Sequence, residues 1–266
     1  MNATSQPARP GTRRVNSTKL VAVASGKGGV GKTWLAVTLC QALARNGRRV
    51  LLFDGDLGLA NVDIQLGLMP ERDLQGVLAG QLSLRGAIMP YKPDGTAGFD
   101  LIAGQAGTGN LASLPLERLN ALADRVLALD GEYDHVVIDL GAGVESSVRA
   151  LTRPAATCLV VTTDEPTSLT DAYAFIKLIR RDFPETAFKI VVNMAANAQA
   201  GDRTYRTLAK ACQSVLGLTP PLAGVVRRDD HVPEAIRHQV PLLTRHPNSP
   251  AAVDVARLAE QLAHQS

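Results

Sequence analysis

The stretch Gly26-Lys27-Gly28-Gly29-Val30-Gly31-Lys32-Thr33 decides the fold of this 266-residue chain. It follows five apolar residues, 20–24, and precedes a segment, 34–45, whose apolar residues recur with helical spacing. The order of strand, glycine-rich loop and helix, with the pattern G-x-x-x-x-G-K-[ST], predicts a phosphate-binding P-loop. Glycines let successive backbone N–H groups point at phosphate oxygens beside the positive end of a helix dipole.

Two side chains at the end of this loop predict the kind of ligand. The charge of Lys32 suits the β- and γ-phosphates of a nucleoside triphosphate, and the Thr33 hydroxyl suits Mg²⁺. Three glycines of the loop, with Asp54 further along, also fit the pattern of a dinucleotide fold. A dinucleotide pyrophosphate needs neither a γ-phosphate lysine nor a metal-binding hydroxyl, so the Lys-Thr pair favours ATP with Mg²⁺.

Length and composition limit the organisation of the chain. With 266 residues, 45% of them hydrophobic, it can bury one large α/β core. We expect residues 1–18, rich in Pro, Ser, Thr, Asn and Arg, to be a disordered basic tail or a short docking arm for a partner. Residues 19–266 are then one P-loop ATPase domain. The formal charge of +3 makes no strong case for a nucleic-acid partner.

Cysteine usage and hydropathy predict the compartment. The three cysteines, Cys40, Cys158 and Cys212, are far apart and lack C-x-x-C spacing, which indicates buried thiols in a reducing cytoplasm. No apolar run approaches eighteen residues, and the N-terminus has no h-region, so neither a membrane span nor a secretory signal is predicted.

Apolar runs predict the sheet and its topology. Seven runs are expected to be strands: residues 20–24, 49–53, 99–103, 135–139, 157–163, 188–192 and 222–226. They are continuous in Val, Ile and Leu rather than alternating, which indicates a sheet covered on both faces. Six segments with helical spacing are 34–45, 115–129, 168–181, 203–216, 232–238 and 250–264. This alternation predicts a single doubly wound, mostly parallel sheet with helices on both faces.

The remaining segments are less regular. Residues 72–84 suggest a helix and a turn, 89–98 a loop, and 104–113 a flexible connection. Ser168 and Asp171 are placed as a capping pair for the helix that begins there.

Acidic residues follow two of the predicted strands. Asp54 and Asp56 come after strand 49–53, where they can point at a ligand, cap backbone N–H groups of the loop, or do both. Asp139 ends the apolar run 135–139, which is the Walker B pattern. Behind a P-loop, such a carboxylate holds Mg²⁺ directly or through a water molecule.

The loop contains a second lysine, Lys27, which on the residues alone is a solvated loop charge. With it, KGGVGKT resembles the deviant Walker A loop of the MinD/ParA family. The segments DGDLGLANVDIQLGL (54–68), DEPTSLTDAYAFIKLIRRD (164–182) and VVNMA (191–195) resemble the flagellar-number branch of that family, FlhG/FleN. Residues 224–251 resemble it more loosely, and the likeness covers roughly residues 19–260.

The resemblance implies roles for single residues. Lys27 would reach across the interface of an ATP-sandwiched homodimer, and Asp56 would orient the attacking water beside Lys32. Asn193 would hydrogen-bond the adenine edge, and Asp229 would lie in the loop that encloses the base. The catalytic set is therefore Asp56, Lys27 and Lys32, and ATP is bound by residues 26–33, Trp34, Asn193 and Asp229.

Three positions depart from the family pattern. Trp34 replaces a small polar residue and is expected to crowd the α-phosphate side, although its first role is packing at the start of a helix. Arg227 replaces a proline of the adenine loop. Gly55 stands where the family usually has alanine.

The resemblance also implies a function and partners. It implies a slow, regulatory cytoplasmic ATPase that switches between monomer and ATP dimer, peripheral at a cell pole in some members. Its partners would be a flagellar transcriptional activator of the FleQ type, with FlhF and flagellar switch proteins as further candidates. Alternatives are a positioning ATPase for division or chromosome partitioning, and an antiactivator in which hydrolysis is incidental. An iron-protein reductase would need two cysteines in the switch loops, and none lies there.

The last segment bears on membrane binding. Family members commonly end in a basic, aromatic amphipathic helix that binds lipid. Residues 251–266 contain no aromatic residue, and Arg257 is their one fixed positive charge. We therefore expect a helix packed on the domain, and weak or indirect membrane binding.

Overall fold

The computed structural model describes residues 17–93, 97–104 and 114–264. The predicted tail, 1–18, lies outside these ranges except for its last two residues, which belong to the first strand. The predicted connection 104–113 also lies outside them except for Gly104.

A single eight-stranded sheet organises the described residues. Its strands are β1 (Ser17–Ser25), β2 (Val50–Gly55), β3 (Met89–Tyr91), β4 (Phe99–Ile102), β5 (His135–Ala142), β6 (Ala155–Thr162), β7 (Ala187–Ala195) and β8 (Leu222–Arg227). They lie in the order β3-β4-β2-β5-β1-β6-β7-β8, and β1 is therefore central. All neighbours pair in parallel except β3 with β4. The predicted mostly parallel sheet is confirmed.

Helices cover both faces of this sheet. They are α1 (Lys32–Arg45), α2 (Val62–Leu66), α3 (Leu74–Leu78), α4 (Leu116–Leu127), α5 (Ser146–Thr152), α6 (Pro166–Asp182), α7 (Ala198–Leu216), α8 (His231–Arg237), α9 (Leu242–Arg245) and α10 (Pro250–Ala263). Helices α1, α2, α8, α9 and α10 bury residues in one apolar cluster, and α3 to α7 in the other. The doubly wound arrangement is thus confirmed as well.

Strand β1 shows why the strands read as continuous apolar runs. Leu20, Ala22 and Ala24 face one cluster, whereas Val21 and Val23 face the other. Since successive side chains of a strand point to opposite faces, a strand covered on both sides must be apolar at every position. Strand β1 ends at the P-loop. This loop therefore begins at the centre of the sheet, where the strand is buried on both faces.

One expectation for the less regular segments needs correction, and one agrees with the structure. The predicted loop 89–98 contains β3, a short strand at the sheet edge, where Pro90 is tolerated because an edge strand can lack one donor. The helix and turn predicted for 72–84 are both present: helix α3 ends at Leu78, and Gly80 then turns the chain with φ 75°.

The predicted capping pair of α6 is wrong. The helix begins at Pro166, two residues before Ser168, and no side chain caps it. Proline at the first helical position already has the required φ and lacks an N–H that would need a partner. The Ser168 hydroxyl instead accepts a hydrogen bond from the Thr163 N–H, at 3.0 Å, and ties the helix to the end of β6.

The structure agrees with the expectations for the cysteines and for the last helix. Cys40, Cys158 and Cys212 are buried free thiols, as predicted. Helix α10 buries one face, formed by Ala251, Ala252, Val255, Leu258, Ala259 and Leu262. This face packs in the same apolar cluster as α1, so the helix is a layer of the fold.

In the parts of the chain that the structure describes, no helix combines the length and apolar content needed to cross a membrane.

Candidate functional site

The P-loop joins the end of β1 to the start of α1. Gly31 precedes the helix with φ 86°, a left-handed conformation that favours glycine. A Cβ atom there would lie 2.5 Å from Asn193 Nδ2, so a larger residue is excluded on two grounds. Among the described residues, no side chain caps the first turn of α1, which leaves its N–H groups available to an anion.

Asp54 and Asp56 hold the loop that follows β2. The two carboxylate oxygens of Asp54 accept hydrogen bonds from the N–H groups of Asp56 and Val62, at 3.3 and 3.2 Å. Asp56 Oδ1 accepts from the N–H groups of Gly58 and Leu59, at 3.2 and 2.9 Å. Both acids therefore cap backbone groups. Asp54 is fully buried, but Asp56 is partly exposed and lines the cavity beside the P-loop.

Asp139 is the buried acid that has no such partners. Among the described residues, no group donates a well-aligned hydrogen bond to either of its carboxylate oxygens. Burial raises its pKa to about 7, opposed by the nearby Thr33 hydroxyl and by Lys32, while Asp56 adds to the rise. Such a carboxylate has free lone pairs and a local excess of negative charge, which suits a hard dication. Thr33 and Asp139 therefore fit Mg²⁺.

Lys32 is almost completely buried at the same place. Burial lowers its pKa, and the attraction of Asp139 and Asp56 works against that decrease. The ammonium group thus lies close to both carboxylates, in a buried position where little water can solvate it. It can donate hydrogen bonds to phosphate oxygens that enter the loop.

Two adjoining cavities lie above these groups. A cavity of about 620 Å³ is lined by the P-loop, by the Asp56 loop and by Gly141 and Ala142 after β5. A second, of about 310 Å³, is lined by Asn193, Met194 and residues of the segment 227–236. Gly31 and Trp34 line both. The first has the polar groups for a triphosphate, and the second is mostly apolar, as a flat base requires.

A third recess lies away from this chemistry. It has about 380 Å³ and is lined by Arg48, Arg49, Tyr133 and their neighbours at the amino ends of the strands. In parallel sheets ligands bind at the carboxyl ends of the strands, where the P-loop lies. We therefore assign the nucleotide to the first two cavities.

Trp34 and Asn193 lie where the two cavities meet. Trp34 is 5% exposed, which agrees with its predicted packing role, and its indole N–H has no acceptor among the described residues. Asn193 is buried, and its side-chain NH₂ donates to the Val30 carbonyl at 2.8 Å. The asparagine therefore also fastens the P-loop, and its remaining polar capacity is what a base can use.

Asp229 and Arg227 are turned toward neighbouring helices. The Asp229 carboxylate accepts from the His231 N–H and the Ala251 N–H, both at 3.0 Å. Burial opposes ionisation of Asp229, but these hydrogen bonds prevail and lower its pKa to about 2. Arg227 binds both oxygens of Asp254, at 2.8 and 2.9 Å. Both residues line the second, mostly apolar cavity, which we call the base cavity. The hydrogen bonds of Asp229 and Arg227 hold the wall of this cavity to α10.

Lys27 has partners that the sequence did not indicate. Its Nζ donates to Glu165 Oε2, and to Thr167 Oγ1 at 2.9 Å. The sequence could have indicated this contact only by position. Asp164, Glu165 and Pro166 follow strand β6, and β6 is a neighbour of β1 in the sheet. Within one copy of the chain, therefore, Lys27 is tied to the start of α6.

Comparison with known proteins agrees with this geometry. Residues 21–242 match the model of the CobQ/CobB/MinD/ParA nucleotide binding domain. The antiactivator FleN of Pseudomonas aeruginosa is 37% identical, over 92% of this chain and 86% of that protein. The flagellum site-determining protein YlxH of Helicobacter pylori is 30% identical, over 91% of this chain and 81% of that protein.

Solved structures give the same assignment. The septum site-determining protein MinD of Pyrococcus horikoshii, complexed with Mg-ADP, is 25% identical with a TM-score of 0.76 over 92% of this chain and 95% of that one. The cell division ATPase MinD of Pyrococcus furiosus is 25% identical with a TM-score of 0.77, over 94% of this chain and 100% of that one. The chain therefore belongs to the CobQ/CobB/MinD/ParA nucleotide-binding family and has the fold of the MinD ATPases.

Proposed function

We propose that this protein is a slow ATPase that switches between a monomer and an ATP-sandwiched dimer and regulates flagellar number or placement. The observation that carries the proposal is the pair of adjoining cavities, the larger of which is lined by the P-loop, Lys32 and Asp56, with the buried Asp139 close to Lys32. The cavity with polar groups for phosphates shares the lining residues Gly31 and Trp34 with the mostly apolar cavity for a base, as an adenine nucleotide requires.

Each residue of the site has a separate task in this proposal. The P-loop N–H groups and Lys32 bind the phosphates. Asn193 and Trp34 lie against the base. Thr33 and Asp139 hold Mg²⁺, which when bound neutralises phosphate charge. Asp56 is partly exposed at the cavity edge and orients the water that attacks the γ-phosphate.

The flagellar part of the proposal comes from the relatives. FleN is named as an antiactivator and YlxH as a flagellum site-determining protein, and each aligns with more than nine tenths of this chain. We therefore propose a transcriptional activator of flagellar genes as the partner of the ATP dimer, with FlhF and flagellar switch proteins as further candidates. A division-site role has support from MinD of Bacillus subtilis, which is 30% identical over 92% of the chain.

The decisive experiment traps the ATP state with Asp56→Asn. Asparagine keeps an acceptor for the Gly58 and Leu59 N–H groups but removes the charge, so the loop should retain its conformation. We expect normal ATP binding and dimerisation, with turnover lowered about 10²–10⁴-fold. A pull-down with this variant in ATP and Mg²⁺ should then enrich the flagellar activator.

Glu71→Gln is the matched control, because it removes an exposed carboxylate outside the cavity. It should hydrolyse ATP at the wild-type rate. If Asp56→Asn stays within a factor of two of wild type, Asp56 has no part in hydrolysis. If the trapped dimer enriches division or partition proteins instead, the flagellar assignment is wrong. Wild-type turnover indistinguishable from background would favour an antiactivator in which binding alone acts.

A further inference from the structure

A cluster of metal-binding side chains lies outside the nucleotide site. Among the described residues, His231, Glu234 and His246 each offer a ligand atom, and these atoms all lie within 4.8 Å of one another. His231 and Glu234 are three residues apart on α8, which places them one turn apart on the same side of the helix. His246 follows α9. Two helices therefore converge on one point.

The orientation of His231 is set by a neighbouring carboxylate. Its Nδ1 lies 2.8 Å from Asp229 Oδ1. The same carboxylate also accepts hydrogen bonds from the N–H groups of His231 and Ala251, so it is arranged as an acceptor. With Nδ1 facing this carboxylate, Nε2 is the ring nitrogen of His231 that remains available to a ligand. Carboxylate–histidine pairs of this kind orient metal ligands in proteins.

His246 completes the arrangement. Its ring lies 4.2 Å from that of His231, centroid to centroid. Its Nε2 is buried and has no hydrogen-bond partner among the described residues. That atom lies 3.5 Å from Glu234 Oε2. Tetrahedral zinc with bonds of about 2.0–2.1 Å needs ligand atoms about 3.3 Å apart, so this pair is already close to the required spacing.

We propose that His231, Glu234 and His246 form a binding site for a transition-metal dication of the zinc class. Two imidazoles and one carboxylate are ligands that suit Zn²⁺, whereas Mg²⁺ prefers oxygen ligands alone. The convergence of the three side chains is the observation that points to a ligand: Nε2 of His246 is shielded from solvent, lies 3.5 Å from Glu234 Oε2 and makes no well-aligned hydrogen bond among the described residues. The metal would tie α8 to α9 beside the base cavity.

Arg245 opposes the metal and gives the proposal a sharp test. Its guanidinium contacts Glu234 Oε1 at 2.8 and 3.1 Å and leaves Oε2 free. Because Arg245 holds its positive charge against the proposed ligand Glu234, it repels a dication there. Removing the charge of Arg245 should therefore strengthen metal binding. A purely structural ion pair would show no such gain.

The experiment titrates the full chain with Zn²⁺. The protein, without a polyhistidine tag and stripped with a chelator, is titrated by calorimetry in excess Mg²⁺. We expect one equivalent of Zn²⁺ bound at micromolar or tighter affinity, with a rise in Tm. His231→Ala and His246→Gln should each weaken binding about tenfold or more, and Arg245→Gln should strengthen it.

His238→Ala and His264→Ala are matched controls, because both histidines are exposed and lie outside the cluster. They should bind Zn²⁺ as the wild type does. Absence of saturable binding, or binding that survives both His231→Ala and His246→Gln, would overturn the proposal. Because His231 is partly exposed, its alanine variant should fold even if a change at His246 disturbs α9.

Discussion

At the scale of single residues, charge is unbalanced beneath the phosphate cavity. Asp54 and Asp139 are paired across β2 and β5, and burial, followed by the charge of Asp139, raises the pKa of Asp54 well above its usual value. Lys32 is the cation that the pKa shifts identify beside Asp139 and Asp56. Burial and neighbouring negative charge thus disfavour ionisation of both acids, and a bound dication would offset these effects, which is why a metal and phosphates belong there together.

Lys32→Ala tests the phosphate assignment. Removing this buried ammonium leaves phosphate charge without its closest counter-charge, so ATP affinity should fall at least about 100-fold. Calorimetry with ATP and Mg²⁺ gives the affinity directly. Lys210→Ala removes an exposed lysine on α7 and should bind ATP normally. A Lys32→Ala protein that is folded and keeps the wild-type affinity would contradict the P-loop assignment.

Gly55 shows how a departure from the family pattern is explained by its contacts. A Cβ atom at Gly55 would lie 3.0 Å from the Asp139 carbonyl oxygen and 3.2 Å from side-chain atoms of Ile138 and Leu151. Alanine there would require these neighbours to move by a few tenths of an ångström. The glycine thus allows β2 and β5 to approach closely below the carboxylates.

His135 predicts how stability depends on pH. The residue is buried at the start of β5, and neither ring nitrogen has a hydrogen-bond partner among the described residues. Burial, and then Arg48, lowers its pKa below the 6.5 of a free histidine. As the pH falls, the unfolded chain therefore takes up the proton first. The stability is fully present above pH 6.5 and declines below it.

His135→Leu should remove this part of the pH dependence. Between pH 7.5 and 5.5 in denaturant unfolding, the wild type should lose up to about 1.4 kcal/mol per pH unit relative to the variant. Asp54 and Asp139 titrate in both proteins, so the difference isolates His135. His238→Leu, at an exposed position, should follow the wild type. Parallel curves for wild type and His135→Leu would disprove the interpretation.

At the scale of elements, α10 explains why lipid binding should be weak. Its apolar face is already buried against the domain, and Arg227 and Asp254 link its first turns to the end of β8. A membrane could gain that face only if the helix left the fold. Of the charges it exposes, Arg257 is positive and Glu260 is negative, so attraction to anionic lipid is small.

We therefore expect little pelleting with anionic liposomes, even in ATP. Arg257→Glu leaves the buried face intact and should not change the pelleted fraction. Strong pelleting of the wild type that Arg257→Glu abolishes would show that this helix does bind lipid. Pelleting that both proteins share would place the lipid contact elsewhere.

At the scale of the whole molecule, the cis contact of Lys27 would compete with the proposed ATP dimer. If Lys27 reaches the nucleotide of a second copy, it must first leave Glu165 and Thr167. Both partners of the ion pair are partly exposed, and ion pairs in contact with solvent contribute little to stability. Because each protomer gives up one such contact, Glu165→Gln should promote the ATP dimer modestly, by at most about fivefold per protomer. Lys27→Ala should bind ATP and remain a monomer.

Light scattering at several protein concentrations measures both effects. Asp164→Asn, at an exposed acid next to Glu165, is the control and should dimerise as the wild type does. A normal ATP dimer of Lys27→Ala would mean that this lysine is only a loop charge. Weaker dimerisation of Glu165→Gln would mean that Glu165 supports the dimer instead of holding the monomer.

The sequence by itself determined the features that depend on local spacing. The P-loop needs eight consecutive residues, and the seven predicted strands need only short apolar runs of a sheet covered on both faces. Asp54, Asp56 and Asp139 were identifiable because carboxyl ends of parallel strands meet at one edge. The burial of Trp34 also followed from residue type.

Only the tertiary structure decided features that join distant segments. Lys27 and Glu165 are 138 residues apart, and no local pattern relates them. Strand β3 exists because β4 offers an antiparallel edge, although Pro90 is a residue that strands disfavour. The cluster of His231, Glu234 and His246 likewise requires α8 and α9 to converge. Such contacts depend on how elements pack, and packing is a property of the whole chain.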